Sequence, residues 1–227
     1  MRHNPYSEEP AMSIALFGAT GNIGREIRAE ALRRGKKVTA VVHNRPLPDE
    51  DNLVSVKGDI ANPDDVVKIA SGHDAVISAY SPGLRSYSAD DAAVLIKAAH
   101  ESLFAGARKA GVTRIIVVGG VGSLEASPGI DVVDSDFYPR EHRAHTLQNR
   151  EILRGLRRGE YDIDWTYVSP PLDIKTGPRT GKFRVGDDKL LRDEKGESRI
   201  SEADFAIAIL DALDEGKFIR QRFTAAY

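Results

Sequence analysis

The chain contains no cysteine. That absence removes disulfides, thiolate metal sites and a cysteine nucleophile together, and it fits a reducing compartment, so the cytoplasm is the expected location. No apolar run is long enough to span a bilayer, and the leader MRHNPYSEEPAM has no apolar signal core. Residues 1–12, polar and broken by Pro5 and Pro10, read as a flexible tail. Neither sign of charge dominates: 32 Lys and Arg stand against 34 Asp and Glu, a formal net charge of −2. So weak a field gives nucleic acid or an anionic membrane no hold, and neither is expected as a partner. A metal is not expected either, since His142 and His145, three apart on a helix, have no third ligand at matching spacing. Residues 13–227 suffice for one domain with a continuous core.

What is present is more specific. Ser13-Ile-Ala-Leu-Phe-Gly-Ala-Thr-Gly-Asn-Ile-Gly24 runs from a buried-strand pattern through three glycines into a helical stripe of Ile23, Ile27, Ala31 and Leu32. A nucleotide pyrophosphate needs unpaired backbone N–H groups at a helix N-terminus, and glycine lets the chain approach closely enough to offer them. The spacing is G-x-x-G-x-x-G, one residue longer at the first interval than the standard fingerprint. Gly18 is expected to make the tight turn, Gly21 to admit the phosphates and Gly24 to bring the helix against the sheet, with Thr20, Asn22 and Ile23 in the same cradle.

Further strands are expected at 37–42, 53–56, 75–78, 114–118 and 164–168. Helices are expected at 22–34, 64–71, 88–110, 141–158 and 201–213, and residues 181–200 alternate and turn like a small hairpin. Strand and helix alternate throughout. That order predicts an α/β fold, a doubly wound, mostly parallel sheet with helices on both faces, whose functional residues lie just past the strands.

The place where an NAD-binding chain carries an acidic residue reads His43-Asn44-Arg45. With no carboxylate there and a planar, permanently charged guanidinium at Arg45, NADP(H) is expected over NAD(H). Strand order puts Asp59 and Ile60 where an adenine would lie, and Ala79, Tyr80 and Ser81 on the nicotinamide-ribose side. Tyr80, Tyr87, Phe137 and Tyr138 are candidates for a platform under a flat acceptor, whereas Trp165, inside a strand, is expected in the core. Arg150, Arg154, Arg157 and Arg158 are expected on a solvated face, balanced by Glu151 and Glu160.

The glycine turn, Val117-Val-Gly-Gly-Val-Gly-Ser-Leu-Glu125, Asp164-Trp-Thr-Tyr-Val-Ser-Pro-Pro171, Arg199-Ile-Ser-Glu-Ala-Asp-Phe-Ala206 and the closing Arg222-Phe-Thr together resemble the NmrA-like NAD(P)H-binding proteins. Within them the chain is most similar to the NADH-flavin reductase and biliverdin reductase B-like subgroup, atypical short-chain dehydrogenase relatives. The resemblance implies a Rossmann-like domain that binds NAD(P)H, with Gly119, Ser169, Pro170 and Pro171 near the nicotinamide. It also implies hydride transfer to a flavin, taken as substrate rather than bound cofactor, by a monomer or small homo-oligomer.

Two departures from the family pattern matter. Relatives commonly carry an arginine where His43 stands, so the NADP preference rests on Arg45. Typical short-chain dehydrogenases pair a serine with Tyr-x-x-x-Lys; here Ser123 and Tyr138 fill the serine and tyrosine places, but His142 stands where the lysine would. Flavin reduction needs mainly two stacked rings and exclusion of competing reactions. Two other readings stay open, a dinucleotide-holding redox sensor and an epimerase or dehydratase, the latter disfavoured by the missing lysine and the short C-terminal part.

Overall fold

Alternation along the first strand sets the layers. In β1 (Ser13–Phe17), Ile14 and Leu16 join one buried cluster with Ile27, Ala31, Phe205 and Ile209, while Ala15 and Phe17 join another with Val66, Ile69, Leu103 and Ile152. A strand that is apolar at every position after Ser13 is therefore sandwiched, as its continuous hydrophobic run requires. The computed structural model describes residues 11–48, 50–83 and 86–227; residues 1–10 of the expected tail lie outside them.

The chain continues through α1 (Asn22–Arg33), β2 (Lys37–Val42), β3 (Leu53–Lys57), α2 (Pro63–Ala70), β4 (Ala75–Ser78), α3 (Ala89–Lys109) and β5 (Arg114–Val118). After the short β6 (Glu125–Ser127) and β7 (Ile130–Asp131) come α4 (Arg143–Arg157), β8 (Asp164–Ser169), β9 (Asp173–Lys175), β10 (Arg184–Gly186), β11 (Arg199–Ser201), α5 (Glu202–Asp214) and β12 (Gln221–Ala226). Eight strands form the main sheet in the order β10-β12-β8-β5-β4-β1-β2-β3. All neighbours are parallel except β10 and β12. Helices α1 and α5 pack on one face and α2, α3 and α4 on the other, which is the expected doubly wound α/β arrangement. The strand order reverses between β1 and β4, where such sheets open a crevice at the strands' carboxyl ends.

Three expectations are corrected. Strand and helix do not alternate between β2 and β3: the chain crosses as a loop, because Pro46 and Pro48 remove the donors a helix needs. Leu47 packs into the α1/α5-side cluster in the helix's stead, its N–H donating to Ser55 Oγ at 3.2 Å. Residues 181–200 are not a hairpin, since β10 pairs with β12 and β11 with β9, leaving only a tight turn closed by Asp193 N–H to the Glu197 carbonyl, 2.8 Å. Strand β12, beyond the expected set, closes the sheet beside β8 with Phe223 and Ala225 fully buried. Trp165 is in the core, as expected. Among the described residues, no helix is long and apolar enough to cross a membrane.

Candidate functional site

The crevice between β1 and β4 is narrow because its walls are glycine. Gly18 has φ +76°, and a Cβ there would lie 2.6 Å from the Ala79 carbonyl carbon and oxygen. A Cβ on Gly24 would lie 2.0 Å from the Gly18 oxygen, so only glycine lets α1 start this close to the end of β1. Gly21 donates to the Gly18 carbonyl at 3.1 Å and accepts from Arg25 N–H at 2.8 Å, closing the first helical turn.

What α1 lacks is as informative as what it has. Asn62, Ser88 and Ser201 cap α2, α3 and α5 through their side chains, and each of those helices carries acidic residues in its first turn. Helix α1 has neither a side-chain cap nor an acid in its first turn; α4 shares both absences but runs on directly from a 3-10 turn (Arg140–His142), whereas α1 opens from the glycine turn at the end of β1. The first N–H groups of a helix have no partner within it. Those of Asn22, Ile23 and Gly24, beside the exposed Thr20 and Gly21, therefore suit an anion.

Around this turn the expected adenine and ribose residues divide. His43, Asn44 and Arg45 follow β2 as an exposed segment. Asp59 is exposed, its carboxylate accepting from Ala61 N–H at 2.9 Å. The Ile60 side chain is buried among Val41, Val66 and Ile69, so only its backbone borders the crevice: it packs as core because it opens the turn into α2. Tyr80 is half-buried, and burial, together with the charge of Asp59 and its neighbour Tyr87, pushes its phenol above the ordinary range. Ala79 is half-buried and Ser81 exposed beside it.

At the far end, Gly119 meets the ring of Tyr167, whose carbon would lie 1.9 Å from an added Cβ. The Tyr167 hydroxyl accepts from Gly120 N–H at 3.2 Å and donates to the Asn149 carbonyl at 3.0 Å. Burial pushes its pKa up to about 12 against the lowering hydrogen bond from Gly120, so it stays a phenol. Ser169 ends β8 fully buried, and its hydroxyl has no partner; Thr224, opposite it on β12, is in the same condition. Pro171 is buried and Pro170 half-exposed just beyond. An unpartnered buried hydroxyl at a strand's carboxyl end, across the sheet from an uncapped glycine turn, fits a dinucleotide whose polar head supplies the missing partner.

Tyr138 and Gly122, the residue before Ser123, meet at Thr146. Ser123 ends a 3-10 turn after β5, buried, with its Oγ and its carbonyl accepting from Arg222 Nη1 at 3.1 and 2.7 Å. Arg222, itself buried, also donates through Nε to Asp188 at 2.8 Å. One residue before the serine, a Cβ on Gly122 would lie 1.9 Å from Thr146 Cγ2. The Tyr138 hydroxyl lies 2.6 Å from Thr146 Oγ1, which in turn lies 3.3 Å from His145 Nε2. Burial and the nearby His142 hold His145 below the ordinary histidine range. Tyr87 and Phe137 are exposed, the latter facing the Arg192 guanidinium at 5.7 Å.

Sequence reading missed Tyr167, Thr224, Thr146, His145 and Arg222 as site residues. Tyr167 sits in the Asp164–Pro171 motif and Thr224 and Arg222 in the Arg222-Phe-Thr motif, but their contacts cross between distant segments. Arg150 is also corrected: only 13% of its side chain is exposed, and it bonds Asp131 at 3.1 Å and Asp134, tying α4 to the turn that follows β7. Its partners lie 16 and 19 residues away, beyond helical spacing. Arg154 and Arg158 pair with Glu151 and Glu160 on the surface, as expected, whereas Arg157 pairs with Asp188.

The family of NAD(P)H-binding proteins matches residues 18–216. The uncharacterized protein YwnB of Bacillus subtilis (strain 168) is 33% identical over 220 residues, covering 94% of this chain and 97% of its own. Among solved structures, a "putative exported protein" of Burkholderia pseudomallei is 43% identical with a TM-score of 0.84, covering 95% of this chain and all of that one. A "putative NADH-flavin reductase" of Streptococcus pneumoniae TIGR4 is 30% identical with a TM-score of 0.80, covering 95% of this chain and 99% of that one. With a match that includes the glycine turn and relatives aligned along almost the whole chain, the protein belongs to the NAD(P)H-binding family.

Proposed function

We propose that the protein is an NAD(P)H-dependent oxidoreductase that passes a hydride to a flavin or similarly flat acceptor, working in the cytoplasm as a monomer or small homo-oligomer with NADPH as its preferred reductant. The observation that carries the reading is the uncapped glycine turn at α1, set at the carboxyl end of β1 against Ala79 after β4, where the strand order of the sheet reverses. The name of the streptococcal relative supports the choice of acceptor.

In this reading the amides of Asn22, Ile23 and Gly24, with Thr20, hold the pyrophosphate. Arg45, with His43, meets the ribose phosphate through charge-assisted bonds. Asp59 and the Ile60 backbone border the adenine; Ala79, Tyr80 and Ser81 line the nicotinamide ribose; Gly119, Ser169, Pro170 and Pro171 surround the carboxamide, which satisfies the Ser169 hydroxyl. Bound NAD(P)H supplies a hydride donor. Tyr87, Phe137 and Tyr138 flank the acceptor ring, exclude water and hold it flat. Ser123, gripped by Arg222, orients the turn beneath it rather than serving as a nucleophile.

Separate titrations with NADH and NADPH, followed by absorbance at the reduced-nicotinamide band on adding FMN or riboflavin, test this. Steady oxidation is expected. Tight cofactor binding with no turnover on any flavin would sink the reductase reading.

A further inference from the structure

The lysine of the Tyr-x-x-x-Lys pattern is missing, yet Tyr138 is not isolated. Its hydroxyl and His145 Nε2 are joined through Thr146 Oγ1, at 2.6 and 3.3 Å. Thr146 is buried and its methyl group is pressed against Gly122, so the middle member of the chain is fixed in place.

The direction of the chain follows from the histidine. His145 Nδ1 is enclosed and meets no partner. A stranded N–H there would cost about 1–3 kcal/mol, and buried donors are left unpaired less often than acceptors. The ring's proton therefore belongs on Nε2, an assignment made from the hydrogen-bond network. Nε2–H donates to Thr146 Oγ1, and the Thr146 hydroxyl donates to the Tyr138 oxygen. The half-exposed Tyr138 O–H is then left to donate outward.

We propose that His145, Thr146 and Tyr138 form a directed hydrogen-bond chain that stabilises the Tyr138 phenolate in place of the absent lysine, with Tyr138 handing a proton to the acceptor as it is reduced. The proposal rests on the reductase reading. The acceptor gains two electrons and one hydrogen as hydride from the dihydronicotinamide reductant, and one proton as the Tyr138 O–H bond breaks. The phenolate left behind accepts from the Thr146 hydroxyl, which accepts from Nε2–H, until a solvent proton taken on the outward side of half-exposed Tyr138 restores the phenol. His145 keeps its Nε2 proton throughout, so all three side chains end uncharged and in their starting tautomer. The titratable groups facing His145 are His142, its ring centroid 6.0 Å away, and Tyr138 through Thr146. Both burial and His142 keep the imidazole neutral near pH 7, the state in which it carries a single proton.

Nitrogen-15 spectra of selectively labelled histidine in the cofactor-free protein read the direction without any turnover. A neutral His145 with its proton on Nε2 is expected, and Thr146→Val should replace that fixed tautomer with a mixture. A proton on Nδ1 in the wild type overturns the chain. With NADPH and FMN, Thr146→Val and His145→Gln should each lower kcat about 10²-fold, the lower end of general acid catalysis, while leaving NADPH affinity unchanged. Tyr138→Phe should lose at least as much. Wild-type kcat in all three variants also overturns the chain. A wild type inert towards every flavin, with the proton nevertheless on Nε2, instead overturns the reductase reading and leaves the chain's direction standing.

Discussion

The Gly18 carbonyl oxygen occupies the space that a side chain on Gly24 would need: a Cβ there would be 2.0 Å from it. The same glycine's own Cβ would strike the Ala79 carbonyl across the crevice. Two glycines six residues apart thus set one packing distance, with β1, β4 and the start of α1 meeting through backbone alone. The obstacle to Gly24→Ala is main chain, which cannot rotate away. Overpacking of this kind costs about 1–3 kcal/mol. Thermal unfolding should show that loss, and NADPH affinity should fall with it as the helix start is displaced. Unchanged melting together with unchanged NADPH binding would remove the close approach as the reason for glycine at 24.

A second prediction separates the two nicotinamide cofactors. Arg45 is exposed past β2, where no carboxylate stands ready for a ribose diol. If its guanidinium meets the ribose phosphate, Arg45→Ala removes a charge-assisted contact and should cost about 1.5–3 kcal/mol in NADPH binding. NADH affinity should barely move. Calorimetric titrations of both cofactors against wild type and variant decide it, and equal losses for NADH and NADPH would rule out phosphate recognition by Arg45. His43→Ala measured in parallel shows how much of the contact the neighbouring imidazole carries.

The local signals explain which parts were legible. The glycine turn and the strands of the parallel sheet are each written within a few adjacent residues, so periodicity and turn chemistry found them. The 43–52 crossover and the pairing of β10 with β12 were not, because proline-containing loops and short strands take their positions from partners far along the chain. The same distance hid Thr146 and His145: nothing near Tyr138 announces that its hydroxyl will meet a helical threonine eight residues on. Ile60 shows a complementary limit, since strand order locates a residue along the crevice but says nothing of which way its side chain turns.

The third prediction concerns pH and stability. Glu30 on α1 is buried, which by itself would raise its pKa, but bonds from Arg179 and Arg34 outweigh that and hold it at about 2 instead of 4.5. Arg34 reaches it through Nε at 2.9 Å and also spans to Asp211 and Asp214 of α5, each at 2.8 Å. Arg179 closes the group with two bonds of 2.9 Å from the loop after β9. A carboxylate whose folded pKa is depressed favours the native state above its unfolded value and loses that contribution as pH falls towards the folded value. The contribution is thus complete above about pH 4.5 and disappears towards pH 2. A shift from 4.5 to about 2 corresponds to roughly 3 kcal/mol. Glu30→Gln should lower stability at neutral pH, because it leaves Arg34 and Arg179 without their buried partner. It should also flatten the dependence between pH 5 and pH 2 relative to wild type. Denaturant unfolding at half-unit pH steps measures both slopes. Parallel curves for the two proteins across that window would show that acid sensitivity lies in other carboxylates.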